Sequence, residues 1–563
     1  MIRSLSLKIG PSVGSSLSFD PSTMTIFVGP NGSGKSLTLR ELLGYIEAGD
    51  TSARLIVDKL AMAVPSEDEI QQLIKQGLQL NGAAGRNDRL TLIKQTPASS
   101  TASLTVSKER FERAIRTARE DEQQGSDATN DKYAFAHLVS LYTAGLDGKS
   151  RLRLVEEREL SDLQKPPANH LSSLFKDDSA RDRVREIVFD AFGTYFVLDP
   201  TLPGKVRIRL STVAPATREI EQSLTTASRE YHAAAQRIEE TSDGVKSFVG
   251  IISSLASADF RVFIIDEPEA FLHPPLARKL GNRMATMAAA RHGNVFAATH
   301  SAEYLMGAVE AGHPLNIVRM TYQGGQGAAR LLPASEVLDV MRDPLMRSAD
   351  VMSALFHEGA VVCEADSDRC FYQELNFRLS ADGSGIKDSI FVNVQNKQTV
   401  RRVVEPLRRM GIAAAAIVDL DIIKGGDLTD LLRACNIAPA VVLSLGQLKG
   451  DIAARFRDAG LDMDRGGVSQ LTGDHLQTAN TLLTQLRSYG VFVVPNGSLE
   501  SWFPDCGLTT NKSEWLGDAF NRMGSDPDSD EYMRPTHDGP WEFIRSVSQW
   551  IHDPNRLGMP FAV

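Results

Sequence analysis

Cysteine is scarce in this chain: four among 563 residues, Cys363, Cys370, Cys435 and Cys506, with no C-x-x-C pair. That spacing argues against a disulfide framework or a zinc knuckle and fits a reduced, cytoplasmic protein. Long apolar runs are missing as well. No stretch approaches the roughly 18–20 residues that span a membrane, so no membrane association is expected. The opening residues Met1-Ile2-Arg3-Ser4-Leu5 read as an amphipathic strand, not a signal peptide. Basic excess is absent: 61 Lys and Arg stand against 71 Asp and Glu, a net charge of −10. Such a balance does not advertise nucleic-acid binding. It does not exclude it either, because carboxylates gathered to hold a divalent cation lower the net charge while a local basic patch meets phosphates. No internal repeat or long low-complexity tract is present. All four tryptophans, Trp502, Trp515, Trp541 and Trp550, lie after residue 500, which suggests a C-terminal helical segment with its own packing.

What the chain does have is the run Gly-Pro-Asn-Gly-Ser-Gly-Lys-Ser at 29–36, a full G-x-x-x-x-G-K-[ST] phosphate-binding loop. An apolar strand, Met24–Val28, is expected before it and a helix, Leu37–Ile46, after it. Gly29, Gly32 and Gly34 let the backbone curl so that its N–H groups, with those of Asn31 and Ser33, point inward at phosphates. Lys35 reaches the outer phosphates, Ser36 offers a hydroxyl to Mg²⁺, and the helix N-terminus adds a positive dipole. ATP and Mg²⁺ are the cofactors this predicts. Val262–Ile265 is a short apolar run suited to a buried parallel strand. It delivers Asp266 to Mg²⁺ and sets Glu267 to polarise an attacking water.

The length calls for two to four domains. Asp147-Gly148 between alternating runs predicts a hairpin over 142–155. Helices are expected at 106–124, 180–192 and 276–291, and strands at 195–198, 205–210 and 295–298. The polar stretch 217–240 reads as one long helix, either solvated or a projecting dimerisation arm. After Val340 the pattern restarts: strands at 359–363, 390–394 and 413–418 alternate with helices at 369–379 and 399–410. That alternation predicts a second α/β domain with a parallel sheet, with a boundary near 340–357.

The first half resembles the ABC-type ATPases, the group that includes SMC-like and overcoming-lysogenization-defect (OLD) proteins. The likeness rests on the loop at 29–36, on Asp266-Glu267-Pro268-Glu269 with Leu272-His273-Pro274, on Ala298-Thr299-His300-Ser301, and on Ser242-Asp243-Gly244. The resemblance implies that His300 contacts the γ-phosphate and that Ser242, Asp243 and Gly244 form a signature motif, without the usual L-S-G-G-Q form, that touches ATP on a second subunit. ATP would then join two heads in a homodimer or higher homo-oligomer. Gln95 is a candidate for the Q-loop glutamine.

In the second half, Glu364, Asp366 and Asp368 follow one strand, and Asp419 and Asp421 follow another. Carboxylates at the C-terminal ends of neighbouring parallel strands suit hard cations such as Mg²⁺ or Mn²⁺. A metal pair about 3.5–4 Å apart would clamp the attacking and leaving oxygens of a phosphodiester. This arrangement resembles the Toprim domain of topoisomerases, primases and OLD nucleases: Glu364 matches its glutamate, Asp419 and Asp421 its D-x-D, and Asp368 an acidic residue of OLD members. Ala365 stands where the family has glycine. Glu500, in Gly497-Ser498-Leu499-Glu500, matches a late acidic motif and is a further candidate ligand. Lys397 faces either a phosphate or solvent. Arg401, Arg402, Arg408 and Arg409 form either a solvated face or a nucleic-acid contact.

Together the halves resemble OLD-family proteins, including those of Gabija-type phage defence. The expected architecture is α/β: an ABC/SMC-like P-loop ATPase domain at 1–345, with a helical insertion near 106–240, a Toprim domain at 346–505, and a C-terminal helical segment at 506–563. The resemblance implies a nucleotide-regulated, metal-dependent DNA endonuclease in anti-phage defence, with DNA and possible separate defence proteins as partners. The alternative is an ATPase sensor or scaffold whose second half signals to a separate effector without cutting.

Overall fold

Met24–Val28 (β1) is buried at every position, as a strand must be when a sheet is covered on both faces. A computed structural model describes residues 2–12, 14–48, 53–62, short pieces between 68 and 117, 139–140, 142–160, 162–164, 167–257, 260–291, 293–344, 346, 351–504 and 512–560. The chain divides into two compact units: Met1–Val28, Gly32–Tyr322 and Gln326–Ser335 form one, and Glu336–Val563, with Gly29–Asn31 and Gln323–Gly325, the other.

In the first unit, β1 leads through the 29–36 loop into helix α1, Lys35–Ala48. The further elements are β2 (Thr143–Leu146), α2 (Asp243–Ala256), β3 (Val262–Asp266), α3 (Pro274–Ala289), β4 (Asn294–Ala298), α4 (Ala302–Glu310), β5 (Leu315–Gln323) and β6 (Gln326–Leu332). Six strands make one sheet in the order β6-β5-β1-β4-β3-β2. Neighbours from β5 to β2 run parallel. The C-terminal ends of β1, β4 and β3 therefore lie side by side, where open parallel sheets bind ligands.

Two expectations fail here. Residues 142–155 are not a hairpin. Asp147 Oδ1 accepts from the backbone N–H of Lys149 (3.0 Å) and Ser150 (2.7 Å), so the turn folds into a 3₁₀ helix, Ser150–Val155, while β2 joins the central sheet. Residues 217–240 are not one helix. Thr217 and Thr225 each cap a separate short helix, Arg218–Gln222 and Thr226–Ala234, because a threonine hydroxyl competes for backbone N–H groups and starts helices in preference to continuing them. Nor is the stretch simply solvated: Glu221 is buried, held by Arg181 Nε (3.1 Å), Arg185 Nη2 (2.6 Å) and the Leu198 N–H (3.0 Å). The expected helix at 106–124 lies for the most part outside the described residues; Val106 and Ser107 end a strand, Thr101–Ser107.

The second unit contains β7 (Gly359–Cys363), α5 (Asp366–Ala381), β8 (Ser389–Asn393), α6 (Lys397–Arg409), β9 (Ala413–Val418), β10 (Val491–Val493) and α7 (Gly539–His552). Its four strands are parallel, in the order β8-β7-β9-β10. The tryptophans do not build a separate core. Trp502, Trp515, Trp541 and Trp550 pack with Val361, Ile417 and Phe492 against this sheet. Arg408 ties the ends together. It is 1% exposed, stacks over Trp550 at 4.8 Å, and donates to the carbonyls of Ala414, Tyr489, Gly490 and Gly558.

Candidate functional site

The phosphate loop has the backbone its chemistry requires. Gly34 sits at φ 96°, and a Cβ there would come within 2.6 Å of Ile56 Cδ1. Gly29 and Gly32 also hold positive φ. Lys35 is 3% exposed, its Nζ 3.4 Å from Ser33 Oγ. Ser36 Oγ donates to Asp266 Oδ1 across 3.1 Å. A hydroxyl and a carboxylate meeting beside a phosphate loop fit Mg²⁺ bound with a nucleotide.

Strand order supplies the rest. Asp266 ends β3, and Thr299 and His300 follow β4. Glu267, just past Asp266, is a non-glycine residue at φ 50°, anchored by its N–H to Ala298 O at 2.8 Å. Its carboxylate lies 4.0 Å from His300 Nε2. The residues proposed for cation, water and γ-phosphate thus come from three adjacent strand ends. Ser242 caps α2 through the Val245 N–H (3.5 Å), and Asp243 pairs with Lys246 at 3.2 Å. Gly244 is needed for close approach, since a Cβ would meet Phe271 O at 2.5 Å.

Two residues here were given no role from the sequence. Glu269 Oε1 accepts from Thr299 Oγ1 (2.7 Å) and the His300 N–H (3.0 Å), and burial pushes its carboxyl up. The acidic residue two places past Glu267 was the available signal. Arg151 is 2% exposed, and its Nη1 donates to the carbonyls of Asp266 (3.3 Å) and Glu267. No local pattern announces it. Gln95 ends a strand of a separate antiparallel sheet, Arg89–Gln95, and not a strand of the six-stranded sheet. The strand beside β3 is β2, so the turn after Leu146 takes the place next to Asp266.

In the second unit, β7 and β9 pair with Cys363 opposite Ile417, so Glu364 and Asp419 emerge together. The Asp419 N–H donates to Glu364 Oε1 at 3.1 Å. Burial, then the Asp419, Asp368 and Asp421 carboxylates, push Glu364 up to about 8, with the Asp419 N–H opposing. The loop carrying Glu500 reaches the same end, where the Leu420 N–H donates to Gly497 O at 2.8 Å. Glu500 itself accepts from Ser498 Oγ at 2.8 Å. This donor set has the chemistry of a hard-cation site. Some of its oxygens are otherwise engaged, however. Asp368 Oδ2 caps the Ala365 N–H at 3.0 Å, and Lys397 Nζ holds Asp421 Oδ2 at 2.6 Å. Among the described residues no group of three or more His, Cys, Asp or Glu is placed to hold a metal ion. Asp366 turns aside to Arg369 (2.8 Å) and Asn393 (3.0 Å).

The arginine run is not an open basic face. Arg401 pairs with Asp430 (3.2 Å), Arg402 with Asp343 (2.6 Å) and Arg409 with Glu336 (3.1 Å), while Arg408 is core. No described helix is long and apolar enough to cross a membrane.

Residues 24–307 match the family described as "AAA domain, putative AbiEii toxin, Type IV TA system". Among solved structures, the chain is similar to an Smc head bound to the C-winged helix domain of ScpA, at 13% identity and TM-score 0.34, covering 60% of this chain and 99% of that one. It is similar to the SMC head domain from Thermotoga maritima, at 15% and 0.26, covering 59% and 99%. A third is the Smc head domain with an extended coiled coil bound to the C-terminal domain of ScpA derived from Pyrococcus furiosus, at 10% and 0.29, covering 60% and 98%. No curated protein matches the sequence.

Proposed function

We propose, for a chain that belongs to the AAA-domain family matched over residues 24–307, that ATP turnover in the first unit governs metal-dependent cleavage of DNA by the second. In the first unit Lys35 binds the outer phosphates, Ser36 and Asp266 hold Mg²⁺, Glu267 orients the water and His300 faces the γ-phosphate. Bound Mg²⁺ would neutralise charge developing on the phosphates. Ser242, Asp243 and Gly244 meet ATP held by a second copy, so two heads close on nucleotide as a homo-oligomer. In the second unit Glu364, Asp368, Asp419 and Asp421, with Glu500, would hold Mg²⁺ or Mn²⁺, which supplies Lewis-acid activation of a phosphodiester. This is the Toprim reading, and with the ATPase it makes the chain similar to OLD nucleases. A role in phage defence follows from that likeness.

The observation that carries the cutting half is the bond between the Asp419 N–H and Glu364 Oε1, 3.1 Å, which puts two acidic strand ends in contact. A plasmid-nicking assay in Mg²⁺ and Mn²⁺ tests it. Wild type nicks, and Asp419→Ala with Asp421→Ala does not; equal nicking removes the assignment.

A second reading has its own support. Lys397 on Asp421, Ala365 at the turn and the lack of a three-ligand group among the described residues suit a sensor or scaffold that signals to a separate effector. Titrated with Mn²⁺ in the absence of nucleotide, such a protein shows no binding that depends on Asp419 and Asp421, whereas the nuclease does.

A further inference from the structure

Arg151 occupies a position that no motif explains. It is 2% exposed, in the 3₁₀ helix Ser150–Val155 directly after β2. Its Nη1 reaches both carbonyls of the Asp266-Glu267 turn. Its guanidinium lies 5.6 Å from the Phe271 ring, and Phe271, at φ 69°, is the other non-glycine residue of this loop in the left-handed region. Its own carbonyl lies beneath α2, where a Cβ on Gly250 would approach Arg151 O to 3.2 Å. The N-terminal end of the same helix packs Gly244 against Phe271 O. One buried residue therefore meets the Glu267 turn and the Phe271 loop through its guanidinium and lies under the helix that begins at Asp243 through its backbone carbonyl.

Left-handed φ at a non-glycine residue costs about 1–3 kcal/mol and persists only where surrounding contacts over-determine it. Two carbonyls aimed at one guanidinium are such contacts, and hydrogen bonds from a charged donor are the strong ones. The nearby carboxylates of Glu269, Glu267 and Asp266 favour the cation that burial opposes.

We infer that Arg151 is a positioning residue for hydrolysis: it holds the turn that aims the Glu267 carboxylate, acting through Glu267 and not on nucleotide. The inference rests on the reading of Glu267 as the water-orienting group. Both bonds leave one nitrogen, Nη1, at the tip of the guanidinium; a lysine ammonium on its own stem does not sit at that point, and a misplacement near 1 Å costs about 10²-fold in rate.

The test uses the full chain as wild type, Arg151→Lys, Glu267→Gln and the double variant, with Arg151→Gln in parallel. Affinity for a fluorescent ATP analogue and steady-state phosphate release are measured. Expected are nucleotide affinity within about twofold of wild type, kcat lower by about 10²-fold in Arg151→Lys, and no further loss when Arg151→Lys is added to Glu267→Gln, since residues acting as a unit are non-additive. Three results overturn the inference alone: a wild-type rate in both Arg151 variants, a parallel loss of nucleotide binding, or a full additive cost in the double variant. If Glu267→Gln hydrolyses as fast as wild type, the reading of Glu267 fails and the inference falls with it.

Discussion

Ser36 Oγ lies 3.1 Å from Asp266 Oδ1 although 230 positions of chain separate them. The sheet makes this meeting: β4 stands between β1 and β3, and all three run the same way. If the pair holds Mg²⁺ as proposed, losing the hydroxyl or the carboxylate charge weakens that site. Ser36→Ala and Asp266→Asn are each expected to lower Mg²⁺-dependent phosphate release by about 10²-fold or more, the scale of losing one charge-stabilising group. Phosphate release against Mg²⁺ concentration checks it, and unchanged curves would contradict the pairing.

Lys397 and Asp421 form a half-exposed ion pair at 2.6 Å. Pairs of this kind contribute about 0.2–1 kcal/mol. Lys397→Met should therefore release Asp421 and tighten Mn²⁺ binding by up to about fivefold, a factor within that range, read by electron paramagnetic resonance of the ion. Weaker binding would show that Lys397 supports the site.

Arg408 is the one member of the arginine run that is fully enclosed, donating to four carbonyls. Arg408→Met takes this donor from four carbonyls, of which Gly490 O keeps a second one, the Ala416 N–H at 2.9 Å. A loss of about 3–5 kcal/mol is expected, from several buried carbonyls losing a partner at about 1–3 kcal/mol each, with urea unfolding as the measure. The exposed Arg401→Met should cost under about 1 kcal/mol.

His170 is buried, its Nε2 2.9 Å from Leu154 O. Burial, and then Arg158, lower its pKa from 6.5 to about 3. The folded state thus takes up this proton later than the unfolded state does. The stability it protects is present above pH ~6.5 and is lost as pH falls toward 3, at about 1.4 kcal/mol per pH unit. Urea unfolding at pH 5.5 and 4.5, both below the unfolded value, should show that slope, and His170→Gln should reduce it.

The motifs that could be read from the sequence were those written in contiguous residues. Gly29–Ser36 fixes its own backbone through its glycines, and the apolar runs of β1, β3, β7 and β9 stop at the residues proposed to carry the chemistry. Asp147-Gly148 misled because a turn before an edge hairpin and a turn into a 3₁₀ helix use the same residues; the side chain of Asp147, bonded to the N–H groups of Lys149 and Ser150, decides between them. Arg151 and Arg408 were opaque for a related reason. An arginine in a polar stretch reads as solvated, and only the fold surrounds it with carbonyls. Glu221 was hidden likewise, since its partners Arg181 and Arg185 stand on another helix, Asp178–Phe192.

In the function proposed, one chain carries two chemistries, ATP turnover at Lys35 and DNA cleavage at Asp419 and Asp421. The most direct measurement records phosphate release and plasmid nicking in the same reactions for wild type, Lys35→Ala, and Asp419→Ala/Asp421→Ala. Lys35→Ala should lose phosphate release, and the aspartate variant should lose nicking while still releasing phosphate. An aspartate variant that nicks plasmid as fast as wild type would contradict the proposed function.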